Sequence, residues 1–171
     1  AEVPNEEVSE TRITIVRGAQ PGAGEWRYAW ADGGRSGVGT ESRARLPLKL
    51  LWFGGPGPDR LMDRHLMTSP PVSVAGRVFM TGQHHVIAFD AYNGRELWAH
   101  ELENVGRKYS QYCSSGLVAD DDSVYVVQGD RCHRLSQVTG ETVSLYDIAE
   151  SVIEGTPAPV AGPCREPRRG T

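Results

Sequence analysis

Long apolar runs are missing from this chain of 171 residues, and so is an excess of basic charge. No apolar stretch approaches the ~20 residues that a membrane-spanning helix needs. The net charge is -4, from 18 basic and 22 acidic side chains that are interspersed. A nucleic-acid surface usually carries a basic stripe, so we expect neither a membrane span nor a nucleic-acid partner.

Cysteine is scarce, at three residues, and its spacing excludes two kinds of site. No Cys-x-x-Cys-His motif for covalent haem attachment is present, and the spacing fits no zinc site. Cys113 and Cys132 fall in adjacent elements and could pair in an oxidising compartment, which would leave Cys164 unpaired. The alternative is three free thiols, two of them packed as small apolar side chains.

Glycine and proline are plentiful instead, at 20 and 11 residues, as is typical of a turn-rich all-β chain. The most informative stretch runs from residue 88 to residue 98. Strand-like residues there flank Asn93-Gly94, and the second strand carries Trp98. This pattern predicts a strand, a tight turn and a second strand.

The framework of this stretch recurs 46 residues downstream without a gap. Residues 78–80 match residues 124–126, and the turn matches Thr139 and Gly140. Counting the same interval backwards from the tryptophan of the first copy reaches Trp52. A period of roughly 40–50 residues that is built from strands predicts stacked propeller blades.

The first copy resembles the tryptophan-docking repeat of the pyrroloquinoline-quinone-type β-propellers, whose pattern is roughly Ala-x-Asp-x-x-Thr-Gly-x-x-x-Trp. It matches at Ala88, Asp90, Gly94 and Trp98, and Asn93 stands at the Thr position. The second copy keeps the Thr-Gly pair but has serine in place of the Asp and the Trp. The resemblance covers much of the chain and implies a fold more specifically than an activity.

We therefore expect an all-β fold: a β-propeller fragment of four-stranded antiparallel blades, with about two full blades and partial flanking ones. The first full blade spans residues 71–102 and the second spans residues 116–147, within a propeller region at 46–160. The expected strands lie at residues 71–74, 78–81, 85–90, 96–102, 117–119, 124–127, 131–135 and 141–146. A flexible N-terminal segment, a preceding strand with an aromatic entry segment, and a truncated tail are expected at residues 1–10, 11–45 and 161–171.

Four smaller features complete the expected organisation. Alternation predicts a strand at residues 11–16, and Pro47 predicts that a strand at residues 46–52 lies at a sheet edge. A helix of about two turns is expected at residues 59–67, and a third unit begins near residue 156. Eight blades would need about twice this length, so we expect a piece of a longer propeller whose remaining blades are its partners.

Trp52 and Trp98 are expected to anchor the packing between blades, because a buried tryptophan removes roughly 150–250 Å² from water. Ser144 cannot do this, so the following interface should be looser or filled by Tyr146. Asp90 is expected to accept hydrogen bonds from the turn after it. That turn, at Asn93-Gly94, suits a type I′ hairpin.

The longer loops should gather on one face, since the strands of a blade alternate in direction. Loops on a rigid scaffold are where binding usually occurs. The candidate ligand-face residues are Asp63, Arg64, His65, His84, Asp130 and Arg131. The alternative for the first three is a solvated loop helix with ordinary charges.

No catalytic residue and no metal site are predicted. His84 and His85 would point to opposite sides of a strand, so they rarely bind one ion. The run from Asp120 to Asp122 lacks the spacing of a calcium loop, and we interpret it as an acidic hairpin turn.

The expected function is that of a non-catalytic repeat segment, a scaffold or a module that binds a protein or a small molecule. The resemblance implies an alternative, part of a quinoprotein alcohol or sugar dehydrogenase, with pyrroloquinoline quinone and calcium held only in the full-length parent. A further alternative is a propeller lipoprotein that assists outer-membrane protein assembly. The resemblance also implies a bacterial protein in the periplasm or another extracytoplasmic space.

Overall fold

The computed structural model describes residues 18–55, 60, 69–82, 84–103, 105 and 116–148. The strand expected at 11–16, the helix at 59–67 and the third unit near residue 156 lie outside these ranges. Within them, no helix is long and apolar enough to cross a membrane.

Eight strands form two four-stranded antiparallel sheets, each a simple meander in chain order. Blade 1 contains β1 (Val72–Val74), β2 (Arg77–Thr81), β3 (His85–Asp90) and β4 (Glu96–Glu101). Blade 2 contains β5 (Leu117–Ala119), β6 (Ser123–Gln128), β7 (Arg131–Ser136) and β8 (Thr142–Asp147). The predicted fold class, a propeller fragment of antiparallel blades, is confirmed.

The two blades repeat even in their irregularities. The pairing of β3 with β4 shifts register between Ala88 and Phe89. The pairing of β7 with β8 shifts between Arg134 and Leu135, which lie 46 residues further along. A bulge increases local twist, so both outer strands bend at the same point of the blade.

The turn between β1 and β2 is the tightest in the first blade. Ala75 and Gly76 both have positive φ values, 51° and 75°. Positive φ at both central positions defines the type I′ turn, whose twist matches that of the flanking strands.

The turn predicted as type I′ at Asn93-Gly94 is a five-residue connection over residues 91–95, so that prediction is wrong. Gly94 has a positive φ of 70°, but Asn93 has none. The physical reason is Asp90, whose Oδ1 accepts a hydrogen bond from Tyr92 N at 2.8 Å. Gly94 N then donates to Asp90 O at 2.9 Å, and this wider loop replaces the two-residue hairpin.

The core lies between the two blades. The face of blade 1 that carries Phe79 and Trp98 packs on the face of blade 2 that carries Leu117 and Leu135. The buried apolar side chains of this seam are Val72, Val74, Phe79, Val86, Ala88, Trp98, Leu102, Val105, Leu117, Ala119, Val124, Val126 and Leu135. We call this contact the inter-blade seam.

The aromatic entry segment joins both blades. Trp26 and Ser73 exchange two backbone hydrogen bonds at 2.7 Å, and Ala119 N donates to Arg27 O at 3.0 Å. Arg27 also forms ion pairs with Glu25 and Asp121. The segment therefore lies against the free edges of β1 and β5.

The edge strand predicted at residues 46–52 is not formed among the described residues. The segment has no strand beside it to pair with, because residues 39–44, which precede it, lie elsewhere. Ser42 N donates to Gly22 O at 3.1 Å, and Gly24 N donates to the Glu41 carboxylate at 2.8 Å.

Candidate functional site

Trp98 joins the two blades through three contacts. Its Nε1 donates a hydrogen bond to Gln137 O at 3.0 Å, and its ring lies 5.8 Å from that of Phe79. A Cβ added to Gly140 would lie 2.5 Å from Trp98 Cε3, so the indole packs directly on the glycine backbone. The side chain is 9% exposed, which fits an anchor of the seam.

The same docking occurs one repeat earlier. Trp52 Nε1 donates to Ala91 O at 3.0 Å, and its ring covers Gly94, where a Cβ would overlap it. Ala91 and Gly94 lie 46 residues before Gln137 and Gly140, the residues on which Trp98 docks. Trp52 therefore docks on blade 1 in the same way that Trp98 docks on blade 2.

Gln137 is the buried polar centre of the seam, and the sequence did not single it out. It is 2% exposed, and its Nε2 donates to Asp120 O at 2.8 Å. Its Oε1 accepts from Arg77 Nη1 at 3.1 Å. The sequence did contain one indication: the equivalent residue of the first copy is Ala91, so Gln137 is a polar residue at a position where the two copies differ.

At the other end of the blades the loops of both units meet. We call this end the loop face; it includes residues 82, 84, 103, 105, 116 and 128–130. Gln128 Nε2 donates to Glu103 O at 2.6 Å, which ties the loop after blade 1 to the end of β6. The gathering of these loops on one face agrees with the expectation from alternating strands.

His133 sits in the seam near the loop face. Its Nε2 lies 3.0 Å from Gln128 Oε1, and because the Gln128 amide nitrogen already donates elsewhere, Nε2 of His133 acts as the donor. Burial lowers the pKa of His133, and the nearby charges of His100 and Arg131 lower it further. Arg131 itself pairs with Asp147 at 3.2 Å.

The outward face of blade 2 is polar where the equivalent face of blade 1 is apolar. The 46-residue offset replaces Val74, Phe79, Ala88 and Trp98 with Asp120, Tyr125, Arg134 and Ser144. The Tyr125 hydroxyl donates to Asp120 Oδ2 at 2.8 Å. Arg134 Nε donates to Ser123 Oγ at 2.8 Å.

Asp120 is the acceptor at the centre of this face. Burial favours its neutral form, but hydrogen bonds from Asp122 N, the Tyr125 hydroxyl and Ser123 N outweigh burial and lower the pKa of Asp120. The pKa of Tyr125 is raised, mainly by burial and then by its hydrogen bond to the Asp120 carboxylate. The run of three aspartates forms the connection between β5 and β6, as expected.

The predicted ligand-face residues are only partly brought together. Asp63, Arg64 and His65 lie outside the described residues. His84 is exposed just before β3, and its carbonyl accepts from Leu102 N at 2.9 Å. Asp130 and Arg131 are exposed at the start of β7, and Asp130 O accepts from Ile148 N at 2.8 Å.

The part of the chain that the structure describes shows no metal site. It contains no group of three or more His, Cys, Asp or Glu side chains placed to hold a metal. Trp52 and Trp98 use their rings to cover glycines of the neighbouring blade, so neither offers a free stacking surface. Tyr146, expected to fill an interface, is 46% exposed.

Cys132 is a free, buried thiol, and Cys113, with which a disulfide was considered, lies outside the described residues. Burial raises the pKa of Cys132, which keeps it protonated and poorly reactive. The alternative, a cysteine packed as a small apolar side chain, is confirmed for this residue.

The sequence matches no protein-family model and no curated protein. Among solved structures, the chain is similar to a quinohemoprotein alcohol dehydrogenase from Pseudomonas putida HK5. The identity is 20% over 75% of this chain and 19% of that chain, with a TM-score of 0.50. At this identity the likeness shows the fold alone.

Two further solved structures show shorter likenesses. A europium-containing methanol dehydrogenase is 25% identical over 45% of this chain and 14% of that chain, with a TM-score of 0.36. BamB from Moraxella catarrhalis is 23% identical over 43% of this chain and 21% of that chain, with a TM-score of 0.35. The chain thus spans 14 to 21% of the length of the solved proteins that it matches. The resemblance to pyrroloquinoline-quinone-type propellers is confirmed at the level of the fold.

Proposed function

We propose that this chain is a non-catalytic β-propeller segment that acts as a scaffold and presents a surface for a protein or small-molecule ligand. The observation that supports this most is the repeated tryptophan docking between blades. Trp98 closes the seam with a hydrogen bond to Gln137 O and direct packing on Gly140. A fixed joint of this kind holds the loops of adjacent blades in a constant arrangement, which is what a binding surface on loops requires.

The proposed ligand surface is the loop face. Gln128 ties the two blades together there, and His84, Asp130 and Arg131 are exposed in or beside the loops of this face. The proposed ligand surface also includes Asp63, Arg64 and His65. The remaining blades of a longer propeller are the proposed partners at both ends of the stack.

The scaffold proposal is tested by asking whether the two blades open as one unit. Hydrogen exchange of β3 and β7 amides, measured at increasing denaturant, gives an opening free energy for each blade. We expect equal values in the native chain and separate values in Trp98→Ala. Unequal values in the native chain would contradict a rigid scaffold.

The alternative is part of a quinone-dependent alcohol or sugar dehydrogenase, and the likeness to the alcohol dehydrogenase in fold is the observation that favours it. The test adds pyrroloquinoline quinone and calcium to this chain and to the longer protein, with methanol, ethanol or glucose and a redox dye. We expect no thermal shift and no dye reduction. A shift together with reduction would support the dehydrogenase instead.

The remaining alternative, a lipoprotein that assists outer-membrane protein assembly, stays a prediction from the resemblance. The proposed location is the periplasm or another extracytoplasmic space of a bacterium. Cell fractionation of the longer protein checks this location, and recovery of the protein in the cytoplasm would contradict it.

A further inference from the structure

Residues 46–53 expose an unusual amount of apolar surface. The exposed fractions are 86% for Leu46, 71% for Leu48, 79% for Leu50, 68% for Leu51 and 93% for Phe53. Single exposed apolar residues are ordinary, but a contiguous apolar patch marks a contact surface. We call the part of this patch that follows Pro47, residues 48–53, the leucine segment.

The backbone of the leucine segment has no strand beside it among the described residues. Residues 50–55 lie 46 positions before Glu96–Glu101, which is β4, and β4 pairs with β3. The residues equivalent to β3 are 39–44, and they contact residues 22–24 instead. No backbone hydrogen bond joins residues 46–55 to another described residue. The leucine segment therefore presents unpaired backbone donors and acceptors together with its apolar side chains.

The outer edge of β8 is a second surface of this kind. Among the described strands β8 pairs only with β7, and it exposes Val143, Leu145 and Tyr146. Like the leucine segment, β8 is six residues long, and six extended residues offer about 20 Å of backbone. An unpaired edge with apolar side chains is a template to which another extended segment adds as a strand.

We propose that the leucine segment of one copy of this chain adds as a β-strand to the β8 edge of a second copy. The two surfaces differ, so the contact is head-to-tail, and each end of the resulting pair keeps one free surface. A contact of this type adds further copies in a row unless the rotation between them closes a ring. The proposal does not depend on the proposed binding function.

Charge selects this pairing over the pairing of two identical surfaces. Lys49 lies within the leucine segment and Arg45 lies just before it, whereas Glu141 precedes β8 and Asp147 ends it. Asp147 is shared with Arg131, but Glu141 has no ion pair among the described residues. Two leucine segments would bring cations together, and two β8 edges would bring carboxylates together. Opposite charges across neighbouring strands attract, so the mixed contact is the favoured one.

Mixing two variants of the full chain tests the proposal. Leu50→Lys places a charge in the leucine segment, and Leu145→Lys places one on the β8 edge; both leucines are exposed, so the blades should stay folded. In sedimentation velocity at rising concentration, we expect the native chain to form oligomers and each variant alone to stay monomeric. An equimolar mixture should form a dimer, about twice the mass of the monomer, and nothing larger. The reason is that one intact surface of each kind remains, while the two lysine-bearing surfaces repel each other.

Hydrogen exchange and a third variant provide the controls. Amides of residues 48–53 and of β8 should exchange at least about tenfold more slowly in the mixture than in either variant alone. Amides of β3 and β6 should be equally protected in all samples, which shows that both blades are folded. Val38→Lys, at another exposed position, should form oligomers as the native chain does.

The alternatives give different results in the same experiment. If leucine segments pair with one another, Leu145→Lys alone will still dimerise, and if β8 edges pair with one another, Leu50→Lys alone will. Either result would overturn the proposal, as would oligomers of both variants alone. A native chain that is monomeric at all concentrations, or a mixture that stays monomeric, would also overturn it and would show that a different partner covers the leucine segment.

Discussion

Single residues hold this fold together at the blade joints, and Trp98 is one of them. We expect Trp98→Ala to lower the free energy of unfolding by about 3–5 kcal/mol, the usual cost of removing a large buried aromatic side chain. The measurement is denaturation in urea. Trp30, which is 56% exposed, is the control, and Trp30→Ala should cost less than about 0.5 kcal/mol. A loss under about 1 kcal/mol for Trp98→Ala would contradict the anchor role.

The glycine beneath the indole gives a second prediction, with a matched control in the same blade. Gly140 and Gly129 have similar positive φ values, 76° and 63°, but only Gly140 meets a side chain, that of Trp98. Gly129→Ala should therefore cost about 1–2 kcal/mol, from backbone strain alone. Gly140→Ala should cost about 1–3 kcal/mol more than Gly129→Ala, because the new methyl group displaces the indole.

The comparison of the two alanine variants by urea denaturation isolates the docking contact from backbone strain. Equal losses would mean that the indole moves aside freely. Such a result would contradict direct packing of Trp98 on the glycine backbone.

The sequence revealed these anchor residues because they recur at a constant interval, but it did not reveal Gln137. Its role depends on hydrogen bonds with Arg77 and Trp98 of the other blade. A hydrogen bond between two blades is not visible in the repeat pattern of either blade. Repetition predicts what the copies share. The residues in which the copies differ need coordinates before their contacts are known.

At the scale of strands and turns, the prediction from sequence succeeded for all eight strands, because alternation and the repeat gave independent indications of the same elements. It failed for the turn at Asn93-Gly94. The dipeptide alone favours a two-residue hairpin, but the Asp90 carboxylate captures Tyr92 N and sets a wider loop. It also failed for residues 46–52, where a strand needs a partner that the neighbouring sequence does not provide.

His133 of β7, whose pKa is influenced by His100 of β4, predicts a dependence of stability on pH. The pKa of His133 in the folded chain lies below its ordinary 6.5, so the fold favours the neutral imidazole. As the pH falls below 6.5, the unfolded chain takes up a proton more readily than the folded one, and stability decreases. The groups around it are His100, Arg131 with its partner Asp147, and Gln128.

Urea denaturation at a series of pH values from about 7.5 to about 5 measures this dependence of stability on pH. His133→Phe should flatten the dependence, since it removes the titrating group. His84→Gln, at the exposed loop face, serves as the control and should leave the dependence unchanged. A native chain that gains stability as the pH falls through this range would contradict the prediction.

For the whole molecule, the two blades are chemically unequal on their equivalent faces. Blade 1 offers an apolar face with Phe79 and Trp98, and blade 2 covers it. Blade 2 offers Asp120, Tyr125 and Arg134 in equivalent positions, already joined to one another or to Ser123. A further blade would have to dock on this polar face without a tryptophan.

The outer strand of blade 2 leaves apolar side chains uncovered, and this predicts self-association of the isolated chain. Val143, Leu145 and Tyr146 are 54%, 47% and 46% exposed, and β8 pairs only with β7 among the described strands. An unpaired edge with apolar side chains is a template for association. Sedimentation velocity at rising concentration should show oligomers, and Leu145→Lys should reduce them because buried like charges repel across an edge. Val38→Lys, a substitution of another exposed residue, should leave them unchanged, and a stable monomer of the native chain at all concentrations would contradict the prediction.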